Sequence, residues 1–249
     1  MNFQRIIKVI YSCYFALVIT IGFILHFFVA GIFMWISKDP EYAHLKLTRP
    51  FIRFGLGMAG IKITANGLNN LPQEGSFIIM ANHKSLLDVL VYLMVVPHKI
   101  AFIPKKELLK VPILGLDISL QGHYPIDRSN PRLALKTIEI MKKDVAGGRP
   151  LLFFPEGTRS DTGKLGAFKR GGFLLALETG TKIIPSYIDG TDKIYAKNDL
   201  FVTPGEIKVT FGSPLLVEKT ASNNKDAYIG LMEEVRKAIL KLEETTKNQ

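Results

Sequence analysis

Ser76-Phe77-Ile78-Ile79-Met80-Ala81-Asn82-His83-Lys84-Ser85-Leu86-Leu87-Asp88 is the stretch on which the fold turns. Ser76 to Ala81 is an apolar run that reads as a buried strand, and Leu86 to Val96 is an apolar segment that reads as a helix. A histidine and an aspartate therefore stand at a strand-to-helix junction, where they suit a general base and the carboxylate that orients it. The spacing constrains the geometry, because positions five apart lie ~140° around an α-helix. For Asp88 to reach His83, the histidine must sit on the turn and the aspartate in the first helical turn. Ser85 and Asp88 also fit a Ser-x-x-Asp capping box, in which Asp88 only satisfies backbone N–H groups.

Outward from this stretch, strands and helices alternate. Gly60 and Gly67 bracket the alternating strand Ile61–Ala65, and Ile100–Ile103 is a second short apolar strand. Gly115 to Gln121 reads as a loop with a short helix. Asn130-Pro131 supplies an N-cap and first position for a helix to Asp144 or Val145, stopped by Gly147-Gly148. Leu151–Phe154 is a buried strand, and a helix opened by Phe168-Lys169-Arg170-Gly171 runs to Thr179, capped by Gly180. Lys182–Ile188 is a strand whose Pro185 argues for an edge or a bulge. Ile207–Phe211 is a further strand, and Lys225–Glu243 a terminal helix. The pattern predicts an α/β fold: a largely parallel central sheet flanked by helices.

Residues 9–37 carry no formal charge, and as one helix would run ~43 Å, longer than the ~30 Å hydrocarbon core of a bilayer. The run is too long for a cleaved leader and lacks a small-x-small site. Three readings stand: a tilted span, a helix broken near Gly22 or Gly31, or a helix within one leaflet. Residues 40–59 mix apolar side chains with Lys46, Arg49 and Arg53, as an interfacial helix or a core helix would, and Pro50 should bend or break it. The expected organisation is an N-terminal hydrophobic helix pair anchoring the protein to the inner leaflet (1–60), then an α/β domain (61–249).

Composition narrows the partners. The 249-residue chain has 32 Lys and Arg against 22 Asp and Glu, a formal charge of +10, together with 47% hydrophobic residues. Positive charge with this apolarity favours an anionic phospholipid membrane over nucleic acid, for which no recognition motif is present. One cysteine, Cys13, in an apolar stretch excludes a disulfide framework, and the five histidines show no metal-binding spacing, so no metal is expected.

Three charged clusters, His83–Asp88, Lys105–Glu107 and Glu156–Ser160, follow predicted strands at their carboxyl ends, where open α/β sheets bind ligands. Lys105 and Arg159 suit a phosphate, and Gly157 offers close backbone approach and an N–H for a developing oxyanion.

These residues fall into four ordered blocks. Asn82 to Asp88 is N-H-x-x-x-x-D, Phe102 to Leu108 is F-x-x-K-x-E-L, and Phe154 to Ser160 is F-P-E-G-T-R-S. An apolar run around a proline, Ile183-Ile184-Pro185, is the fourth. In these blocks the sequence resembles the membrane-associated glycerolipid acyltransferases, in particular the 1-acyl-glycerol-3-phosphate acyltransferases. The resemblance covers residues ~75 to 190 and implies direct transfer. His83 would deprotonate a glycerol hydroxyl as it attacks an acyl thioester, and Asp88 would orient the imidazole. Glu156, Gly157 and Thr158 would shape the acceptor site and oxyanion. Lys105 and Arg159 would clamp the phosphate, helped by Lys169 or Arg128. The implied partners are lysophosphatidic acid and an acyl carrier protein or coenzyme A thioester, with no cofactor. The implied location is the inner (cytoplasmic) membrane, with the catalytic domain on its cytoplasmic side. Glycerol 3-phosphate or another lysophospholipid as acceptor, and a non-catalytic membrane binder, are the competing readings.

Overall fold

A computed structural model describes residues 3–36, 40–127, 131–197, 199–220 and 224–248, apart from the side chains of residues 34, 40–45, 131, 132, 134 and 135. Strands β1 (Ile61–Asn66), β2 (Ile78–Ala81), β3 (Ala101–Phe102), β4 (Leu151–Phe153), β5 (Ile183–Asp189) and β6 (Gly205–Phe211) form a six-stranded sheet in the order β1-β6-β5-β2-β4-β3. Among the described residues β5 and β6 pair antiparallel, and the other neighbours pair in parallel. The expected α/β architecture with a largely parallel sheet is the one observed.

Side-chain alternation explains the continuous apolar run in β2. Ile79 and Ala81 point into one core with Val91 and Tyr92, while Ile78 and Met80 point into the other with Phe173 and Val235. A strand covered on both faces has no polar face to alternate with. Helices α3 (Leu87–Val95) and α2 (Pro40–Met58) cover the first face. The second is covered by α5 (Pro131–Ala146), α6 (Gly171–Thr179) and α8 (Lys225–Lys247). Short helices α4 (Leu114–Leu120) and α7 (Thr191–Ile194) lie in the connections, and α7 was not expected.

The amino-terminal helix α1 (Phe3–Ile36) is unbroken at Gly22 and Gly31, which removes the broken-helix reading. It lies along α2. A Cβ at Gly22 would stand 2.8 Å from Phe51, His26 stacks on Phe51 at 4.7 Å, and His26 Nε2 is 3.1 Å from Thr48 Oγ1. Near the other end of α1, the Tyr11 hydroxyl donates to the Ala59 carbonyl, and the Val202 N–H donates to Ser12 Oγ at 2.9 Å. Helix α2 is in turn seated on the domain, with Ile52, Leu56 and Ala59 in the same core as Ile79 and Val91.

Each proline expectation is corrected in one of its alternatives. Helix α2 runs through Pro50 without interruption, so the break is absent, and the ring is exposed. Strand β5 is interior, between β6 and β2, which removes the edge reading of Pro185. The bulge reading holds: Ser186 pairs with Phe211 and Ile183 with Leu215, so three steps along β5 face four on the partner, and within this offset the Pro185 carbonyl accepts from Gly212 at 2.8 Å.

The turn after β5 requires glycine. Gly190 has φ +90°, and a Cβ there would lie 2.1 Å from the Glu206 carbonyl oxygen. Gly190→Ala is expected to lower stability by at least ~2 kcal/mol, through strain and a backbone clash. Gly230→Ala, within α8 and with nothing inside 4 Å of the new Cβ, should instead raise it by about 0.5–1 kcal/mol. Thermal unfolding of both variants checks the pair.

Candidate active site

Because β2, β4 and β3 are parallel neighbours, the loops leaving their carboxyl ends lie side by side along one sheet edge. They carry the three clusters singled out in the sequence. His83 Nδ1 is 2.7 Å from Asp88 Oδ2. The same oxygen accepts the N–H groups of Lys84 at 2.7 Å and Ser85 at 2.9 Å. Orienting the histidine and holding the turn are thus one arrangement, not alternatives. Ser85 does not close a reciprocal box: its Oγ accepts from the Leu87 N–H at 3.3 Å and donates to the Tyr195 carbonyl at 2.6 Å.

A carboxylate oxygen accepts, so the His83 ring proton sits on Nδ1 and the lone pair on Nε2. Among the described residues Nε2 makes no hydrogen bond. The ring stacks on Phe154 at 4.0 Å with planes 15° apart, and 12% of the side chain is exposed. Asp88 is fully buried. The result is a fixed imidazole with one basic nitrogen available.

The turn is braced from three directions. The Asn82 side chain bridges to β5, accepting from the Ile188 N–H at 2.8 Å and donating to its carbonyl at 2.9 Å. The Lys84 ammonium is buried and donates to the Tyr187 hydroxyl at 3.0 Å and Asp189 at 3.3 Å. Burial pushes the Asp189 carboxyl up, but the ammonium groups of Lys84 and Lys193 outweigh it and hold the group below the usual carboxylate range. From the β4 loop, Ser160 N–H donates to the His83 carbonyl at 2.7 Å, and His83 N–H donates to Glu156 Oε1 at 3.0 Å.

Glu156 therefore acts on the site through the backbone. Its Oε2 accepts from Gly166 N–H at 2.7 Å, and Arg236 on α8 donates to the carbonyls of Gly166 and Leu165 at 2.6 and 3.0 Å. Sequence reasoning missed Arg236, Lys84 and the Phe154 platform. Arg236 carries no local signal, whereas Lys84 stands at an unspecified position inside the first block and Phe154 inside the third.

Gly157 takes φ +69°, and a Cβ there would stand 2.8 Å from Lys169 Cδ, so the Lys169 stem lies over the turn. One expectation is corrected: the Gly157 N–H donates to the Phe154 carbonyl at 2.9 Å and is not free for an oxyanion. The N–H groups of Thr158 and Arg159 make no hydrogen bond among the described residues. Gly157 and Lys169 border a cavity of about 350 Å³ whose walls are otherwise largely apolar, including Ile103, Ile126, Leu152, Phe154 and Leu174. Lys105 and Arg159 do not line it. The Lys105 side chain is exposed and pairs with Glu107 at 3.3 Å, while the Arg159 side chain is without a partner among the described residues. Arg128 lies outside the described residues.

Glu156→Gln leaves one acceptor oxygen for two backbone donors. Stability should fall by about 1–3 kcal/mol, and turnover by roughly 10²-fold as His83 shifts. Thermal unfolding separates this from a role in contacting substrate, which predicts an unchanged midpoint.

The family model described as Acyltransferase matches residues 62–189. A 1-acyl-sn-glycerol-3-phosphate acyltransferase of Cocos nucifera is 36% identical over 156 residues, covering 62% of this chain and 51% of that protein. The chain thus spans about half the length of that relative. A protein of the same name from Borreliella burgdorferi is 30% identical over 205 residues, covering 81% of this chain and 79% of its own. The crystal structure of the 1-acyl-sn-glycerophosphate acyltransferase PlsC from Thermotoga maritima superposes with a TM-score of 0.83 at 26% identity, over 97% of each chain. By the family match, the Borreliella relative and the shared fold, the chain belongs to the acyltransferase family.

Proposed function

We propose that the protein transfers an acyl group from a thioester to the sn-2 hydroxyl of 1-acyl-sn-glycerol 3-phosphate, forming phosphatidic acid. The observation that carries this reading is the His83–Asp88 pair, with Nε2 unengaged at a sheet edge beside an apolar cavity. Nε2 takes the hydroxyl proton as the oxygen attacks the thioester carbonyl. The tetrahedral intermediate expels the thiolate, which recovers the proton from the imidazolium. Oxygen acylation and thiol release balance without a cofactor or an enzyme-bound acyl group. Asp88 keeps Nδ1 protonated and steadies the imidazolium, and a base so placed supplies ~10²–10⁴ in rate.

The N–H groups of Thr158 and Arg159 are the donors assigned to the oxyanion, in place of Gly157. Lys105, Arg159 and Lys169 supply positive charge for the phosphate, and the apolar cavity takes an acyl chain. The donor is an acyl carrier protein or coenzyme A thioester.

Helix α1 is long and apolar enough to cross a membrane by length and composition, and most of that window is exposed. The packing supports a position in one leaflet. α1 rests on α2 from Tyr11 to His26, and α2 is seated in the domain core, so a bilayer cannot close around α1 alone. Residues 1–60 then anchor the α/β domain to the cytoplasmic membrane from the cytoplasmic side.

His83→Ala and Asp88→Asn should each lower acyl transfer to lysophosphatidic acid by ~10²–10⁴, with vesicle binding unchanged. The purified protein should prefer lysophosphatidic acid over glycerol 3-phosphate; product from glycerol 3-phosphate alone would reassign the acceptor. A thiol at position 3, with Cys13 replaced by serine, should label only from the cytoplasmic face of oriented vesicles. Labelling from the outer face would show a crossing.

A further inference from the structure

Away from the sheet edge that carries His83, a second and larger cavity of about 890 Å³ lies between α2, edge strand β1 and the segment after α3. Its volume is within the range of ligand sites, about 300–1,000 Å³. Five cationic side chains line it, Lys46, Arg49, Arg53, Lys62 and Lys99, and no carboxylate does among the described residues. His83, Lys105, Arg159 and Lys169 are not part of it.

The charge is organised by the helix. Lys46, Arg49 and Arg53 stand at i, i+3 and i+7, one face of α2, while Phe51 and Gly55 meet α1. Arg49 is fixed by donating from Nε to the Met94 carbonyl at 3.1 Å. The side chains of Arg53 and Lys62 make no ion pair or hydrogen bond among the described residues. Lys46, Arg49 and Lys99 have other interactions, so the charge open to a ligand is that of Arg53 and Lys62, and two cations facing one cleft concentrate the opposite sign there.

We propose that this cleft binds the phosphate headgroup of an anionic phospholipid, as a site separate from the acceptor site. The helix that lines the cleft is also the seat of the exposed apolar α1, so a headgroup from the leaflet holding α1 lies at hand. The inference rests on the membrane reading above. It adds a defined, phosphate-selective contact to apolar anchoring, and makes membrane affinity depend on lipid charge through two named residues.

Co-flotation of the full-length protein tests it, with vesicles of phosphatidylcholine alone or mixed with phosphatidylglycerol. Arg53→Ala with Lys62→Ala should weaken binding to the mixed vesicles about thirtyfold, while leaving binding to phosphatidylcholine and the unfolding midpoint as in the wild type. Arg5→Ala with Lys8→Ala removes equal charge from exposed positions on α1 outside the cleft, and should weaken binding to the mixed vesicles much less. Inorganic phosphate should compete with the mixed vesicles beyond chloride of equal ionic strength, and only when Arg53 and Lys62 are present. Equal losses in the two double variants would show diffuse attraction and overturn the site. Competition by phosphate without any preference for the mixed vesicles would assign the cleft to a soluble phosphate and overturn the lipid source. Failure of the wild type to bind either vesicle would overturn the membrane reading and this inference together.

Discussion

A single carboxylate oxygen organises the catalytic edge. Asp88 Oδ2 accepts from the His83 ring and from the N–H groups of Lys84 and Ser85, all three within 2.9 Å. Two of those donors define the turn between β2 and α3, and the third sets the direction of the imidazole. Backbone shape and base orientation therefore cannot vary independently. Burial of Asp88 strengthens each of these bonds by excluding water that would compete for the oxygen.

The remainder of the fold keeps that turn still. Parallel order β2-β4-β3 brings the Glu156 loop against the His83 loop, and Glu156 then fastens the His83 backbone to Gly166. Asn82 and Lys84 fasten the other side to β5. Phe154 supplies the flat surface beneath the ring and also one wall of the apolar cavity. The imidazole and the apolar cavity are thereby fixed relative to each other by one residue. Positioning of this kind is what the proposed transfer asks of the protein.

Local patterns made much of this legible. The buried run before Asn82 announced a parallel strand, and the five-residue spacing placed His83 on the turn and Asp88 in the first helical turn, where both are found. The block Phe154 to Ser160 announced a functional loop, but not that Glu156 would spend both oxygens on backbone donors or that the Gly157 N–H would be taken. Those outcomes depend on Gly166 and Phe154 being brought to particular places by tertiary packing. Pro50 did not break its helix, and Pro185 marked a one-residue offset in the pairing of an interior strand where an edge was the other expectation. Arg236, on a helix seventy residues downstream of Gly166, braces the site with no signal in its own neighbourhood.

The central claim is that Asp88 holds His83 as the Nδ1–H tautomer with Nε2 basic. Nitrogen-15 NMR of the imidazoles, with the His83 signals assigned by comparison with His83→Ala, reads this directly. The account predicts a protonated Nδ1 and an unprotonated Nε2 in the neutral ring, with the preference lost in Asp88→Asn. A protonated Nε2 in the wild-type protein, or a tautomer unchanged in Asp88→Asn, would contradict it.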